Sequence, residues 1–252
     1  MTSLTIDNVS LSFGGVHAVQ ELSFDVSQGE VFAIIGPNGA GKTSVFNIIT
    51  RVFAPSSGRV VFEGRDITDV PRHRVVEHGI ARTFQNIELF EGATVLDNLM
   101  LGRHRFPHSG FAHELLGSRK TRQLNAEARS KVEDIIELLE LAPHRYSLVS
   151  GLPYGVRKIV ELGRALATEP RLLLLDEPAS GLNPEETHDL AFWIDDIRSD
   201  LGMTIVMVEH DMSLVSEVAD RVLCMNQGQE LALGTAAEVQ SNPAVIAAYL
   251  GT

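Results

Sequence analysis

Residues 31–44 read VFAIIGPNGAGKTS: five apolar residues run directly into a glycine-rich turn that ends in a lysine and two hydroxyls. An apolar run without alternation reads as a strand buried on both faces, and SVFNIIT (44–50) behind the turn has helical character. Gly36, Pro37, Asn38, Gly39, Ala40, Gly41, Lys42 and Thr43 satisfy the pattern G-x-x-x-x-G-K-[ST] in full, in the strand–turn–helix context it requires. Glycines let consecutive backbone N–H groups curl around phosphate oxygens, and the following helix adds its N-terminal dipole. Lys42 is then in reach of β- and γ-phosphates, the Thr43 hydroxyl is a ligand for Mg²⁺, and Ser44 closes the set of loop residues facing the nucleotide.

Composition sets bounds around this turn. A chain of 252 residues with 44% hydrophobic and 21% charged residues has the make-up of an ordinary globular protein with a sizeable core. Its longest apolar runs, such as VFAII and LLLL, fall far short of the roughly 18 residues of a membrane span. MTSLTIDNVS lacks the basic and apolar regions of a secretory signal, so a cytoplasmic chain is expected. Cys224 is the single cysteine, which excludes an internal disulfide and a thiolate zinc site; in RVLCMN it reads as a small core residue. A net charge of −12 argues against nucleic acid as a partner.

Alternation in LTIDNVSLSF and ELSFDV predicts two half-buried strands ahead of the loop, and RVVFEG another after it. Asp69 and Pro71 are expected to open a helix, as cap and first-turn residue. GIARTFQ reads as a strand with a polar exit, and Thr94 with Asp97 as a capping-box start for TVLDNLML. Residues 102–124 have mixed periodicity; His104, His108 and His113 lack metal-site spacing, and the stretch reads as a solvated insertion. Beyond it Val132, Ile135, Ile136 and Leu139 share one helix face, and a helix is predicted over VRKIVELGRALATEP. RLLLLDEP and TIVMVEH are buried strands, Asn183-Pro184 starts a helix, and RVLCM with ELALG forms a terminal strand pair. Thr235 with Glu238, and Asn242 with Pro243, mark two short final helices. Buried strands alternating with helices, plus alternating strands near the start, indicate an α/β phosphate-loop core with an antiparallel β subdomain and an inserted helical subdomain. The expected boundaries are 1–85 and 159–252 for the core and 86–158 for the helical part.

In LLLLDEP (172–178) the acids follow a buried strand, at the end where α/β sheets bind ligands. Asp176 suits a water-mediated hold on Mg²⁺, and Glu177 the polarising of an attacking water. Gln85, His210 and Phe13 carry little alone: a turn residue, a surface histidine and a core aromatic are the plainer readings.

Their order along the chain changes this. Phe13, GPNGAGKT, Gln85, the glycine loop before a helix, LLLLDEP, SGLN and His210 together resemble an ATP-binding-cassette ATPase over essentially the whole chain. The resemblance implies ATP and Mg²⁺ as ligands, adenine stacking on Phe13, and a contact of Gln85 with Mg²⁺ and the attacking water. It further implies Glu177 as catalytic base and His210 as the γ-phosphate switch. FGGVHAV, Asn47 of SVFNIIT, ARTFQNIELF, LPYG and the closing AAYLG are similar to the ATPase subunits of branched-chain amino-acid importers, the Liv type with the longer helical insertion. That implies a head-to-tail homo- or heterodimer, separate membrane-embedded permeases, an extracytoplasmic solute-binding protein, and a position on the inner face of the membrane. Two alternatives stay open: another transport task, such as lipid export or urea and amide uptake, and a soluble non-transport ATPase of the same class.

The signature loop departs from the family's L-S-G-G-Q. Here it reads Leu152, Pro153, Tyr154, Gly155, Val156; Pro-Tyr matches the Liv type, and Val replaces Gln. Tyr154 and Gly155 are the residues expected to meet the partner's nucleotide. Asn183 stands where many members have Asp, which keeps hydrogen bonding and loses a charge.

Overall fold

The computed structural model describes residues 1–83, 87–103 and 119–250, with the backbone alone over 119–122. Gln85, His104, His108 and His113 lie outside the described residues. Two compact units divide the chain: Met1–Gln85 with Arg171–Thr252, and Asn86–Pro170.

Two sheets build the first unit. The long strands β1 (Thr2–Phe13) and β2 (Val16–Ser27) pair antiparallel and alternate buried with exposed residues, as their sequence pattern requires. With β4 (Ser57–Phe62) and β5 (Arg65–Asp66) they form a four-stranded sheet in the order β2-β1-β4-β5. The second sheet runs β10-β9-β3-β8-β7-β6, from β3 (Val31–Ile35), β6 (Ile80–Arg82), β7 (Leu172–Asp176), β8 (Thr204–Val208), β9 (Arg221–Asn226) and β10 (Gln229–Gly234). Every pairing in it is parallel except β9–β10. β3, β7 and β8 are buried at every residue, the pattern of a parallel sheet covered on both faces. Phe24 of β2 stacks on Phe32 of β3 with centroids 5.2 Å apart, joining the two sheets in one core.

Helices α1 (Lys42–Ile49), α5 (Pro184–Leu201), α6 (Met212–Val218), α7 (Ala236–Ser241) and α8 (Pro243–Leu250) belong to this unit. The predicted helix after Asp69 is instead a 3₁₀ stretch, Arg72–His78, capped by Pro71 without any side-chain bond. Only Val75 of it is buried, so no apolar stripe exists to hold an α-helix against the core.

The second unit is helical: α2 (Val95–Gly102), α3 (Arg119–Leu138) and α4 (Tyr154–Leu166). Thr94 and Asp97 form the expected capping box on α2, typically worth about 1 kcal/mol. Val132, Ile136 and Leu139 are fully buried, as the helical period predicts. Gly163 of α4 lies where an added Cβ would be 3.2 Å from both Leu99 and Leu139, so α2 and α3 close tightly on it. That packing is why the second unit extends to Pro170 and takes in α4, where the sequence placed residues from 159 onward with the core. α4 also begins at Tyr154, two residues ahead of the predicted start, because Pro153 takes the cap position with extended backbone. Among the described residues no helix is long and apolar enough to cross a membrane.

Cys224 sits on β9 with no exposed surface, and burial pushes its thiol up to about 11, only partly offset by the Lys42 ammonium. Thiolate is the reactive species. At pH 8 a disulfide reagent should label Cys224 on the order of 100-fold more slowly in the folded chain than in urea, where the thiol titrates near its ordinary value. Equal rates would place Cys224 outside the core.

Candidate active site

The turn after β3 packs so closely that only glycine fits at two of its positions. Gly36 has φ +146°, and a Cβ there would stand 2.2 Å from the Met225 carbonyl oxygen of β9. Gly41 has φ +102°, and its Cβ would stand 2.4 Å from the Ala18 carbonyl oxygen of β2. Both backbones therefore press against neighbouring strands while the loop turns into α1. Lys42, 8% exposed, folds its ammonium back onto the loop and donates to Gly36 O at 2.7 Å and Pro37 O at 3.3 Å. Burial lowers the Lys42 pKa, and the negative charges of Glu177 and Asp176 partly restore it. Thr43 is exposed in the first turn of α1. The result is one short cradle of N–H groups, an ammonium and a hydroxyl, with two carboxylates within electrostatic reach.

Those carboxylates stand at the end of β7. Asp176 is 3% exposed; its Oδ2 accepts from Arg82 Nη2 at 2.5 Å, while Arg82 Nη1 donates to Asn47 Oδ1 at 2.8 Å. The guanidinium also lies 5.5 Å from the centre of the Phe46 ring. Arg82 thus ties the ends of β6 and β7 to the later turns of α1. Glu177 follows in the left-handed region, φ +47°, with its N–H donated to Val208 O at 2.9 Å. A non-glycine residue held there costs free energy that the surrounding structure must offset, and such strain concentrates at functional sites.

β8 pairs with both β3 and β7, so its end lies between the loop and the acids. His210 follows it with 60% of its side chain exposed. Glu209, one residue earlier, is completely buried: Oε1 accepts from Ala179 N at 2.7 Å, and Oε2 accepts from His210 N at 2.8 Å and Asp211 N at 3.1 Å. Arg82 and Glu209 are the two residues the sequence reading passed over. The signal for each was a lone charge at the end of a short buried strand.

Phe13 closes β1 before the turn at Gly14 and is 47% exposed, with its ring edge-on to Phe53 at 5.0 Å. Such exposure removes the reading of Phe13 as a core aromatic. In the second unit, Ser150 N donates to Glu91 O at 3.2 Å and Val149 N to Ala93 O at 3.1 Å, anchoring the turn ahead of Pro153. Tyr154, 40% exposed, opens α4, with Lys158 Nζ 5.8 Å and the Arg157 guanidinium 6.0 Å from its ring centre. Gly155 is buried in the first turn of that helix. Asn183 is the N-cap of α5, its Oδ1 accepting from Glu185 N at 2.9 Å and Glu186 N at 3.0 Å. An uncharged amide serves this cap as well as Asp would.

A strand, glycine turn, lysine and helix, with acids and a histidine at the ends of adjacent parallel strands, make this a phosphate-loop nucleotide-binding fold. Comparison with known proteins narrows the class. The ABC transporter family model matches residues 19–180, and the model for branched-chain amino acid ATP-binding cassette transporters matches residues 229–252. The chain belongs to the ABC transporter family, as one of its ATP-binding proteins. It is 38% identical over 248 residues to the high-affinity branched-chain amino acid transport ATP-binding protein BraF of Pseudomonas aeruginosa, covering 98% of this chain and 97% of that one. It is 37% identical, over the same shares, to LivG of Escherichia coli, a protein of the same description. A solved ATP-binding cassette of an ABC transporter in its ADP conformation matches with TM-score 0.87 and 32% identity, covering 100% of both chains.

The two close approaches of the loop give a test. Gly36→Ala forces both a disfavoured backbone and a backbone clash, each typically costing about 1–3 kcal/mol. The variant should melt several degrees lower and lose nucleotide binding, whereas Gly39→Ala, with open space at its Cβ position, should melt closer to the parent. Thermal unfolding by circular dichroism compares them; equal melting points would contradict the packing.

Proposed function

We propose that this chain is the ATP-hydrolysing subunit of an importer for branched-chain amino acids. The observation that carries the reading is full-length similarity to BraF and LivG, joined to a phosphate loop, Asp176-Glu177 and His210 on adjacent strand ends. The family-specific match of the last residues favours this solute class over other transport tasks.

In this reading ATP lies along the loop from Gly36 to Ser44, with adenine against the exposed face of Phe13. Lys42 exchanges the carbonyls of Gly36 and Pro37 for β- and γ-phosphate oxygens, trading acceptors for anionic ones that strengthen its hold. Among the described residues no three His, Cys, Asp or Glu side chains converge on a point. Thr43 and Asp176, with Gln85, supply the oxygen donors that Mg²⁺ prefers, and the ion there would neutralise charge on the β- and γ-oxygens. Glu177 acts as general base on the attacking water, and His210 holds the γ-phosphate. Tyr154 and Gly155 meet the nucleotide of a second subunit, so two chains close head to tail around two ATP molecules. Separate permeases use that closure, with an extracytoplasmic binding protein delivering solute. The chain works on the cytoplasmic face of the membrane.

Purified protein should hydrolyse ATP, and Lys42→Ala should reduce turnover at least about 100-fold by removing the point charge on the terminal phosphates. Glu177→Gln should retain ATP binding, lose turnover and shift to a dimer on size exclusion with Mg-ATP. Reconstituted with its permeases, the wild type should drive uptake of leucine, isoleucine or valine. ATP hydrolysis without uptake of any of the three would move the solute to another class, and wild-type turnover in Glu177→Gln would remove the base.

A further inference from the structure

Glu209 is the only carboxylate among the described residues with no exposed surface at all, and every described polar contact of its oxygens within 3.5 Å is a backbone N–H. Its two oxygens serve different loops. Oε2 gathers the N–H groups of His210 and Asp211 at the end of β8, while Oε1 holds the N–H of Ala179 in the turn after Glu177. The His210 ring is also close, with Nδ1 3.9 Å from Oε2. That turn carries Ser180 N to Glu177 O at 3.1 Å and Leu182 N to Ala179 O at 3.0 Å, and delivers the chain to the Asn183 cap of α5. One side chain is therefore bonded to His210 N through one oxygen and to Ala179 N of that turn through the other.

We infer that Glu209 is a positioning residue that couples His210 to the turn at Pro178–Gly181, so that the state of the terminal phosphate at His210 is passed through one buried carboxylate to the segment following the general base. The inference rests on the ATP-site reading given above. Two features of the side chain carry the coupling. A carboxylate has an acceptor on each arm, whereas an amide at the same place turns a donor toward N–H groups on one of them. Glu209 also has no exposed surface, so losing one arm leaves a buried N–H of one loop without its acceptor and weakens the tie between the two loops.

The experiment is amide hydrogen exchange of the full chain with and without Mg²⁺ and a non-hydrolysable ATP analogue, on wild type, Glu209→Gln and His210→Ala. Nucleotide should slow exchange at the phosphate loop, residues 36–43, in all three proteins. In the wild type it should also change exchange at 178–181 by at least about threefold, and that second response should vanish in both variants. Glu209→Gln should further show kcat at least tenfold lower with KM for ATP within twofold, a split that simple loss of folded protein does not produce. If Glu209→Gln fails to fold, His210→Ala carries the test, because its side chain is largely exposed. A response at 178–181 that persists in His210→Ala, or is absent from the wild type, overturns the coupling. Absence of protection at 36–43 in the wild type overturns the ATP-site reading instead.

Discussion

Two glycine backbones pressed against strand carbonyls hold the ligand-facing end of the first unit together. Gly36 closes on Met225 of β9 and Gly41 on Ala18 of β2, so the loop is fixed to both sheets at once. Gly228 N donates to Ala40 O at 2.9 Å and Gln20 N to Gly228 O at 2.8 Å, adding the β9–β10 turn to the same junction. A flexible loop would have to be ordered by its ligand, at roughly 1–2 kcal/mol per residue of backbone entropy. Here folding has already met that cost, and the antiparallel sheet serves as a wall for the cradle.

The charges around the cradle follow from the same crowding. Lys42 is buried, which works against its charge, yet it keeps two carbonyl acceptors and two nearby carboxylates. Asp176 is buried as well and is balanced by Arg82, a pair whose disruption typically costs about 3–5 kcal/mol because one charge is left alone. Arg82 and Lys42 thus approach the acids from opposite flanks, one fixed by Asn47 and Phe46, the other free to swing between carbonyls and phosphate. In the proposed reaction only the second has to move. Glu209 completes the pattern with backbone donors instead of a cation, which ties loops together without adding another positive group beside the phosphates.

Most of this architecture was legible because its signals are local and periodic. Unbroken apolar runs marked β3, β7 and β8, alternation marked β1 and β2, and the capping boxes at Thr94 and Thr235 stand at the residues whose spacing predicted them. Errors arose where packing decides. Pro71 looked like a helix start, but RHRVVEH has no apolar stripe to bury and settles for 3₁₀ geometry. Pro153 looked like loop and is a cap. The expected boundary at 159 falls inside α4, which compactness groups with Asn86–Pro170. Of the candidate site, Lys42, Asp176 and Glu177 stood out by motif and His210 only by its order after them, whereas Arg82 and Glu209 act through partners 94 and 30 residues away in sequence, which no local pattern reveals.

The loop SGLPYGVRK is where local chemistry and long-range anchoring meet. Its turn is hydrogen-bonded to Glu91 and Ala93, Thr94 bridges to Leu148, and Arg164 of α4 donates to Glu88 O at 2.5 Å. Residues 88–94 and 148–153 are therefore one bonded piece inside the second unit, with α4 growing out of it. Residues 91–94 are thus joined by backbone hydrogen bonds to the turn that leads into α4. Replacing the family's Ser-Gly by Pro-Tyr stiffens this piece: Pro153 fixes its own φ, and Tyr154 gathers Arg157 and Lys158 about its ring. The usual glutamine is absent, and of the two cations near the start of α4, Lys158 is buried and Arg157 lies 3.8 Å from the Glu91 carboxylate. The loop gives up a side-chain amide and gains a fixed φ at Pro153 and an ionic link from Arg157 back to Glu91.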